Sequence, residues 1–246
     1  MKNIFILPIT FHLDNTELII YPTLLQDDNE LILVDCGYPD SVPKLEHAMN
    51  QIGLSLNQLT KIIITHHDHD HMGALKEIKE RYPFVQILCS KEEAPYITGQ
   101  RKSLRLQQAE AIQDTLPESE KEGGMQFQSF IAALQKVDIH DVRIINRGDI
   151  LPFCGGIEVV DTKGHMPGHI SLYVKKDKTL IAGDALVVED EELCMAMPQF
   201  ILNVQDAQDS IRKLLNYDIK TIICYHGGLY KFDILNSLQT VIKSFT

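Results

Sequence analysis

The chain lacks the basic excess that binding to nucleic acid demands. Its 246 residues carry 34 acidic and 23 basic side chains, a net charge of -11. That balance disfavours a polyanion partner, which needs a basic footprint, although a small nucleotide remains admissible. Cysteine is sparse and without pattern. Cys36, Cys89, Cys154, Cys194 and Cys224 are scattered, odd in number and free of CxxC pairs, so reduced core thiols in a cytoplasmic protein are expected. No apolar run approaches the ~20 residues of a spanning helix. The apolar start Ile4-Phe5-Ile6-Leu7 meets Pro8, Thr10 and His12 too soon for a signal peptide. No short-period repeat is present. The expectation is a protein with no membrane and no nucleic-acid partner.

What is present is ordinary globular material, 44% hydrophobic and 23% charged, enough for a sizeable core in one domain over 1–246. Apolar β-type runs cover Lys2–Ile9, Glu17–Leu25, Glu30–Val34, Lys61–Thr65 and Val85–Cys89, with helical spacing over Val42–Ile52 and Gly73–Tyr82. β signals return at Arg143–Ile145, Ile157–Val160, Ile170–Val174, Thr179–Ala182 and Lys220–Cys224. Helices are expected over Asp206–Asn216 and Phe232–Phe245. Two sheets covered by helices on their outer faces fit this order. Residues 91–140 differ. They are polar and helical in two segments, Leu104–Leu116 and a second through Phe127–Leu134, with Gly123-Gly124 as the expected break. They are expected to form a helical insertion, or lid, over the domain.

The ten histidines are unevenly placed. Four fall in His66-His67-Asp68-His69-Asp70-His71, directly after an apolar strand pattern. Others stand at further strand ends: His165 and His169 after 157–160, and His226 after 220–224, with Asp184 after 179–182. Imidazole and carboxylate are the usual protein ligands of zinc and several other divalent metals. Crowding them at a turn is costly unless a cation sits there. His12, His47 and His140 are expected on the surface, and Lys163 and Tyr225 flank candidate ligands.

Thr65-His66-His67-Asp68-His69-Asp70-His71-Met72-Gly73 resembles the first signature, Thr-His-x-His-x-Asp-His-x-Gly, of the metallo-β-lactamase-fold superfamily. Gly164-His165-Met166-Pro167-Gly168-His169, Gly183-Asp184, His226-Gly227 and Leu33-Val34-Asp35-Cys36-Gly37 are similar to its remaining motifs. The resemblance spans nearly the whole chain. It implies an α+β, four-layer αββα sandwich of two mixed sheets with outer helices. It also implies two divalent ions, zinc foremost. His66, Asp68 and His165 would hold the first and Asp70, His71 and His226 the second, with Asp184 bridging them. His67 and His69 fall off the ligand register and are expected to be exposed or supporting, and His169 structural. Asp35 and Asp161 are candidates to accept the free ring N–H of ligating histidines.

The departure is Asp68, where the family usually has histidine. It adds a negative charge and a hard oxygen, shifting preference toward iron or manganese. Two metals ~3.5–4 Å apart can share a hydroxide formed at neutral pH. The resemblance therefore implies hydrolysis of a small-molecule ester, thioester or lactone, with Asp70 orienting the nucleophile or passing a proton. Alternatives are an oxygen-using iron enzyme of the persulfide-oxidising kind and a non-enzymatic metal-binding domain. The oligomeric state is open, a homodimer included. Few residues follow His226, fewer than the helical region of hydroxyacylglutathione hydrolases needs. Ala185-Leu186-Val187-Val188 lacks the tyrosine of many lactone-hydrolysing members.

Overall fold

Proline divides the first apolar runs in the computed structural model, which describes residues 4–13 and 16–245. Proline cannot donate to a ladder. Accordingly β1 (Ile4–Ile6) ends before Pro8, and Tyr21-Pro22 separates the hairpin of β2 (Ile9–Leu13) and β3 (Thr16–Ile20) from β4 (Thr23–Gln26). The expected strand Glu17–Leu25 is thus two strands, in different sheets. Lys2 and Asn3 of the first expected strand lie outside the described residues.

The first half continues with β5 (Leu31–Val34), α1 (Val42–Asn50), β6 (Lys61–Ile63), α2 (His69–Met72), α3 (Leu75–Arg81) and β7 (Gln86–Ser90). Three helices follow: α4 (Ala94–Ile97), α5 (Leu104–Ile112) and α6 (Glu118–Ala133). Then come β8 (Val142–Ile145), β9 (Ile150–Leu151), β10 (Ile157–Asp161), β11 (Ile170–Val174), β12 (Thr179–Gly183), and the hairpin of β13 (Val187–Glu189) and β14 (Glu192–Cys194). The chain closes with α7 (Val204–Leu214), β15 (Thr221–Cys224), β16 (Gly228–Tyr230) and α8 (Ile234–Lys243).

Two six-stranded sheets result, in the orders β1-β4-β5-β6-β7-β8 and β16-β15-β12-β11-β10-β9. Both are mixed: β5 to β8 run parallel in the first, and β12 pairs parallel with β15 in the second. Side-chain alternation sends one face of each sheet inward. Leu25, Ile32, Val34, Ile63 and Leu88 meet Ile157, Val159, Ile170, Leu172 and Ile181 between the sheets. The outer face of the first sheet, with Leu33, Ile62 and Ile87, is covered by Val42, Leu45 and Met49 of α1 and Leu75 and Ile78 of α3. The second sheet's outer face is covered by Ile211 and Leu214 of α7 and Leu238 and Val241 of α8. The architecture is the four-layer αββα sandwich. Each fully buried Leu, Ile or Val contributes roughly 1.5–3 kcal/mol, and that core offsets the polar groups buried at one end of it. Among the described residues no helix is long and apolar enough to cross a membrane.

The 91–140 region holds α4, α5 and α6, with its own small cluster of Leu106, Ile131 and Leu134. Its break is not at Gly123-Gly124. Helix α6 runs through both glycines, and the chain turns instead at Gln113–Pro117. The reason is packing. A Cβ on Gly124 would lie 2.5 Å from Gln113 Oε1 and 2.8 Å from Leu116 Cδ1, so the missing side chain lets the turn fold onto the helix. Gly123 faces open space. Gly123→Ala is therefore expected to stabilise by about 0.5–1 kcal/mol through helix propensity. Gly124→Ala should forfeit that gain to the contact. Denaturant unfolding checks the pair, and equal effects at both positions would contradict this packing.

Candidate metal centre

Strand ends from both sheets converge at one edge of the sandwich. The chain leaves β6 through Ile64-Thr65 into His66, and Ile170 N–H donates to Thr65 O (3.2 Å) across the sheets. Strand β12 ends in Gly183-Asp184, and β15 in Cys224 before Tyr225-His226. Gly183 has φ 56°, and a Cβ there would stand 2.7 Å from His169 Nε2, so only glycine permits this turn. Gly73 is required for closeness alone, since a Cβ would meet the Pro39 backbone nitrogen at 2.3 Å.

The ligating atoms form three overlapping groups, each within 4.8 Å: His66, Asp68 and His165; His66, His71 and Asp184; Asp70, His71 and His226. Asp184 lies centrally. Its Oδ1 is 3.2 Å from His71 Nε2, and its Oδ2 is 3.5 Å from His165 Nε2, 3.6 Å from His226 Nε2 and 3.9 Å from His66 Nε2. Asp68 Oδ2 is 3.1 Å from His165 Nε2 and 3.5 Å from His66 Nε2; Asp70 Oδ2 is 3.2 Å from His226 Nε2. The seven residues expected as ligands are therefore all brought together. Four of their buried atoms have no hydrogen-bond partner among the described residues: His165 Nδ1 and, grouped at the centre, the three atoms His66 Nε2, His71 Nε2 and Asp184 Oδ1. Buried polar atoms without partners are costly, and a cation between them satisfies all three. The donor set fits a pair of divalent metals.

Neighbours hold several of the donors in place. Asp35, fully buried with φ 58°, accepts from Thr65 N, Thr65 Oγ1 and His71 Nδ1, each at 2.8 Å. His66 Nδ1 donates to Thr65 Oγ1 (3.0 Å), which leaves Nε2 with a lone pair facing the centre. His169 Nε2 accepts the Asp184 backbone N–H (3.0 Å), while its Nδ1 donates to Thr162 Oγ1 (2.9 Å). It fixes the turn that presents Asp184 rather than binding with it. Tyr225 packs on His71, ring centroids 3.9 Å apart, and its hydroxyl donates to Asp70 O (2.5 Å). Asp161 departs from expectation. It pairs with Arg147 Nε and Lys213 Nζ, both at 3.1 Å, because it ends β10 on the flank and meets two cations before any histidine. Lys163 likewise pairs outward with Asp206 (2.8 Å).

The off-register histidines are not solvent-facing. His67 is buried, its backbone N–H (2.9 Å) and Nδ1 both donating to Glu93 Oε2, and its ring stacks on Tyr96. His69 is half-buried, edge-on to Tyr38, Phe127 and Phe130. Two supporting residues had no sequence signal. Glu93 sits in the polar run Lys91-Glu92-Glu93, and Arg105 in a helix of low apolar contrast. Arg105 grips Asp68 with Nε on Oδ1 (3.2 Å) and Nη2 on Oδ2 (2.6 Å), offsetting the extra negative charge of a carboxylate at this position.

Charge follows the same geometry. Burial opposes protonation of His71, but Asp184, Asp35 and Asp70 outweigh it and hold its pKa well above the ordinary 6.5. His226 is raised likewise, burial being overcome by Asp184 and Asp70. Burial acts against the charge of Asp184 too, yet His71 and His226 hold its carboxyl well below the usual range. Burial and then His66 push His169 well down, so it stays neutral. The centre opens on a cavity of about 470 Å³, with Leu18, Tyr38, Phe127, Val187, Met197 and Phe200 on its walls.

Comparison with known proteins agrees with the fold. A profile described as "Metallo-beta-lactamase superfamily" matches residues 15–226. The "Probable metallo-hydrolase YflN" of Bacillus subtilis (strain 168) is 29% identical over 216 residues, 83% of this chain and 78% of that protein. A "Hydroxyacylglutathione hydrolase" of Rhizobium meliloti (strain 1021) is 28% identical over 167 residues, 68% of this chain but 47% of its own length. The crystal structure of a metallo-beta-lactamase family protein from Thermus thermophilus superposes with a TM-score of 0.75 at 19% identity, covering 100% of this chain and 80% of that one.

Metals require neutral imidazole, whereas His71 and His226 in the metal-free protein hold protons above the ordinary histidine range. Metal uptake near neutral pH is therefore expected to release protons, and affinity to strengthen as pH rises from 6.5. Titration calorimetry in buffers of different ionisation enthalpy measures both. A pH-independent affinity without proton release would contradict the assignment.

Proposed function

This chain belongs to the metallo-beta-lactamase superfamily, and from that membership we propose that it is a metal-dependent hydrolase of a small ester, thioester or lactone with an apolar acyl portion. The observation that carries the reading is the convergence of His66 Nε2, His71 Nε2 and Asp184 Oδ1, buried and unsatisfied, beside an open cavity. His66, Asp68 and His165 are assigned to a first divalent metal, Asp70, His71 and His226 to a second, and Asp184 to both. When bound, the ions supply a nucleophilic hydroxide at neutral pH and polarise the substrate carbonyl.

The chain's own residues do the rest. Leu18, Phe127, Val187, Met197 and Phe200 hold the apolar part of the substrate and exclude water around the scissile bond. Asp70 turns Oδ2 to His226 and Oδ1 toward His69, and is assigned to orient the nucleophile and pass its proton to the leaving group. Tyr38 lines the same cavity. Burial, then Asp70, Asp184 and Asp68, raise its pKa above the ordinary phenol value, so it stays a neutral donor that can meet charge developing on the carbonyl oxygen.

Zinc is the first choice of metal, from four histidines and three carboxylates. The "Hydroxyacylglutathione hydrolase" among its relatives supports thioester cleavage as one form of the activity. A panel of esters, thioesters and lactones graded by acyl length tests the proposal. Activity should rise with apolar acyl size, vanish on chelation and return with zinc. Asp184→Asn should abolish it. Tyr38→Phe should keep metal content and lower kcat by roughly 100-fold. Iron with oxygen consumption, and no hydrolysis across the panel, would overturn the reading.

A further inference from the structure

We propose that Arg105, from the helical insertion, is a positioning residue that holds Asp68 in the orientation the first metal site needs, so that this site is completed by the lid. The inference rests on the two-metal reading above.

Asp68 and Arg105 are both buried, 5% and 6% exposed. The guanidinium forks onto both carboxylate oxygens, Nε to Oδ1 (3.2 Å) and Nη2 to Oδ2 (2.6 Å). That geometry fixes the plane of the carboxylate as well as its charge. The gripped oxygen Oδ2 is the one facing His165 Nε2 (3.1 Å) and His66 Nε2 (3.5 Å). Without Arg105, Asp68 would lose the fork that fixes its carboxylate plane, and the group would be free to turn away from His66 and His165.

Arg105 is a clamp rather than an anchor for an anionic substrate. Its remaining hydrogen bonds also go to protein. Nη2 also donates to Phe200 O (3.0 Å) and reaches His165 Nε2 (3.3 Å), and Nη1 donates to Gln108 Oε1 (2.7 Å). Gln108 in turn donates to Gln199 O (3.1 Å). Helix α5 is thereby tied to the 198–200 turn across the cavity. The clamp's own place is set next door. Glu93 accepts a hydrogen bond from His67 Nδ1–H, leaving His67 Nε2 to accept the Leu104 N–H (3.3 Å) at the start of α5. Two consecutive residues of the metal loop, 67 and 68, thus hold two consecutive residues of the lid, 104 and 105. If orientation and charge balance at Asp68 are what Arg105 provides, a neutral imidazole at 68 dispenses with it.

The test is zinc binding to the full chain, by competition with a chromophoric chelator, for wild type, Arg105→Met, Arg105→Lys, Asp68→His and the Asp68→His/Arg105→Met pair. Wild type should bind two zinc ions. Arg105→Met should keep one and bind the other about 10- to 100-fold more weakly. Arg105→Lys, a point charge that cannot fork, should weaken the same site, and serves if Arg105→Met fails to fold. Asp68→His alone should also lose affinity, since its imidazole faces a buried guanidinium. The pair should recover to within a few-fold of wild type, a rescue that a merely structural arginine would not give. Two zinc ions bound by Arg105→Met or Arg105→Lys as tightly as by wild type, or a pair no better than Arg105→Met, would overturn the clamp alone. Fewer than two zinc ions in wild type would overturn the two-metal reading with it.

Discussion

Everything at the working end of this sandwich is organised by one constraint: Asp184 is buried with four imidazole nitrogens around it. Such a group is unstable by itself, since unsatisfied lone pairs and a buried carboxylate cost more than a surface arrangement would. The fold tolerates it by bringing rigid strand ends from two sheets to one edge, where a cation can neutralise the cluster. The core between the sheets is what makes those strand ends rigid. The αββα layering and the metal centre are therefore one design. The sheets supply positions, and the positions make sense only with positive charge between them.

Around that centre His66, His71 and Asp184 are each aimed by a neighbour. Asp35 and Thr65 orient His71 and His66, His169 presents the Asp184 backbone, and Tyr225 packs behind His71. Arg105 extends the pattern to Asp68 from outside the sandwich. The insertion is thus tied to the metal loop at the first turn of α5, while Phe127 of α6 lines the cavity. It contributes both the arginine on Asp68 and a wall of the cavity, from two successive helices, so changes in it are expected to be felt at the metal loop.

Much of this was legible in the sequence because the relevant signals are local. Apolar strands ending in His66, His165, Asp184 and His226 announced themselves by position, and Asp70-His71-Met72-Gly73 set the register that separated His67 and His69 from the donors. Gly73 is explained by the Pro39 backbone against it. The failures were of long range. Arg105 meets Asp68 across 37 residues and Glu93 meets His67 across 26, and neither sits in a local pattern. Asp161 looked like a partner for a histidine because it adjoins one in sequence, yet the strand's edge points it at Arg147 and Lys213. Gly123-Gly124 looked like a helix break because glycine is a poor helix former. The space needed by Gln113 and Leu116 decided otherwise.

The central claim is that two metals sit on the two sides of Asp184. Anomalous diffraction from crystals of the zinc-loaded protein, collected on either side of the zinc edge, tests it most directly. The account predicts two peaks, one among His66, Asp68 and His165 and one among Asp70, His71 and His226, with Asp184 touching both. A single peak, or none within this cluster, would contradict it.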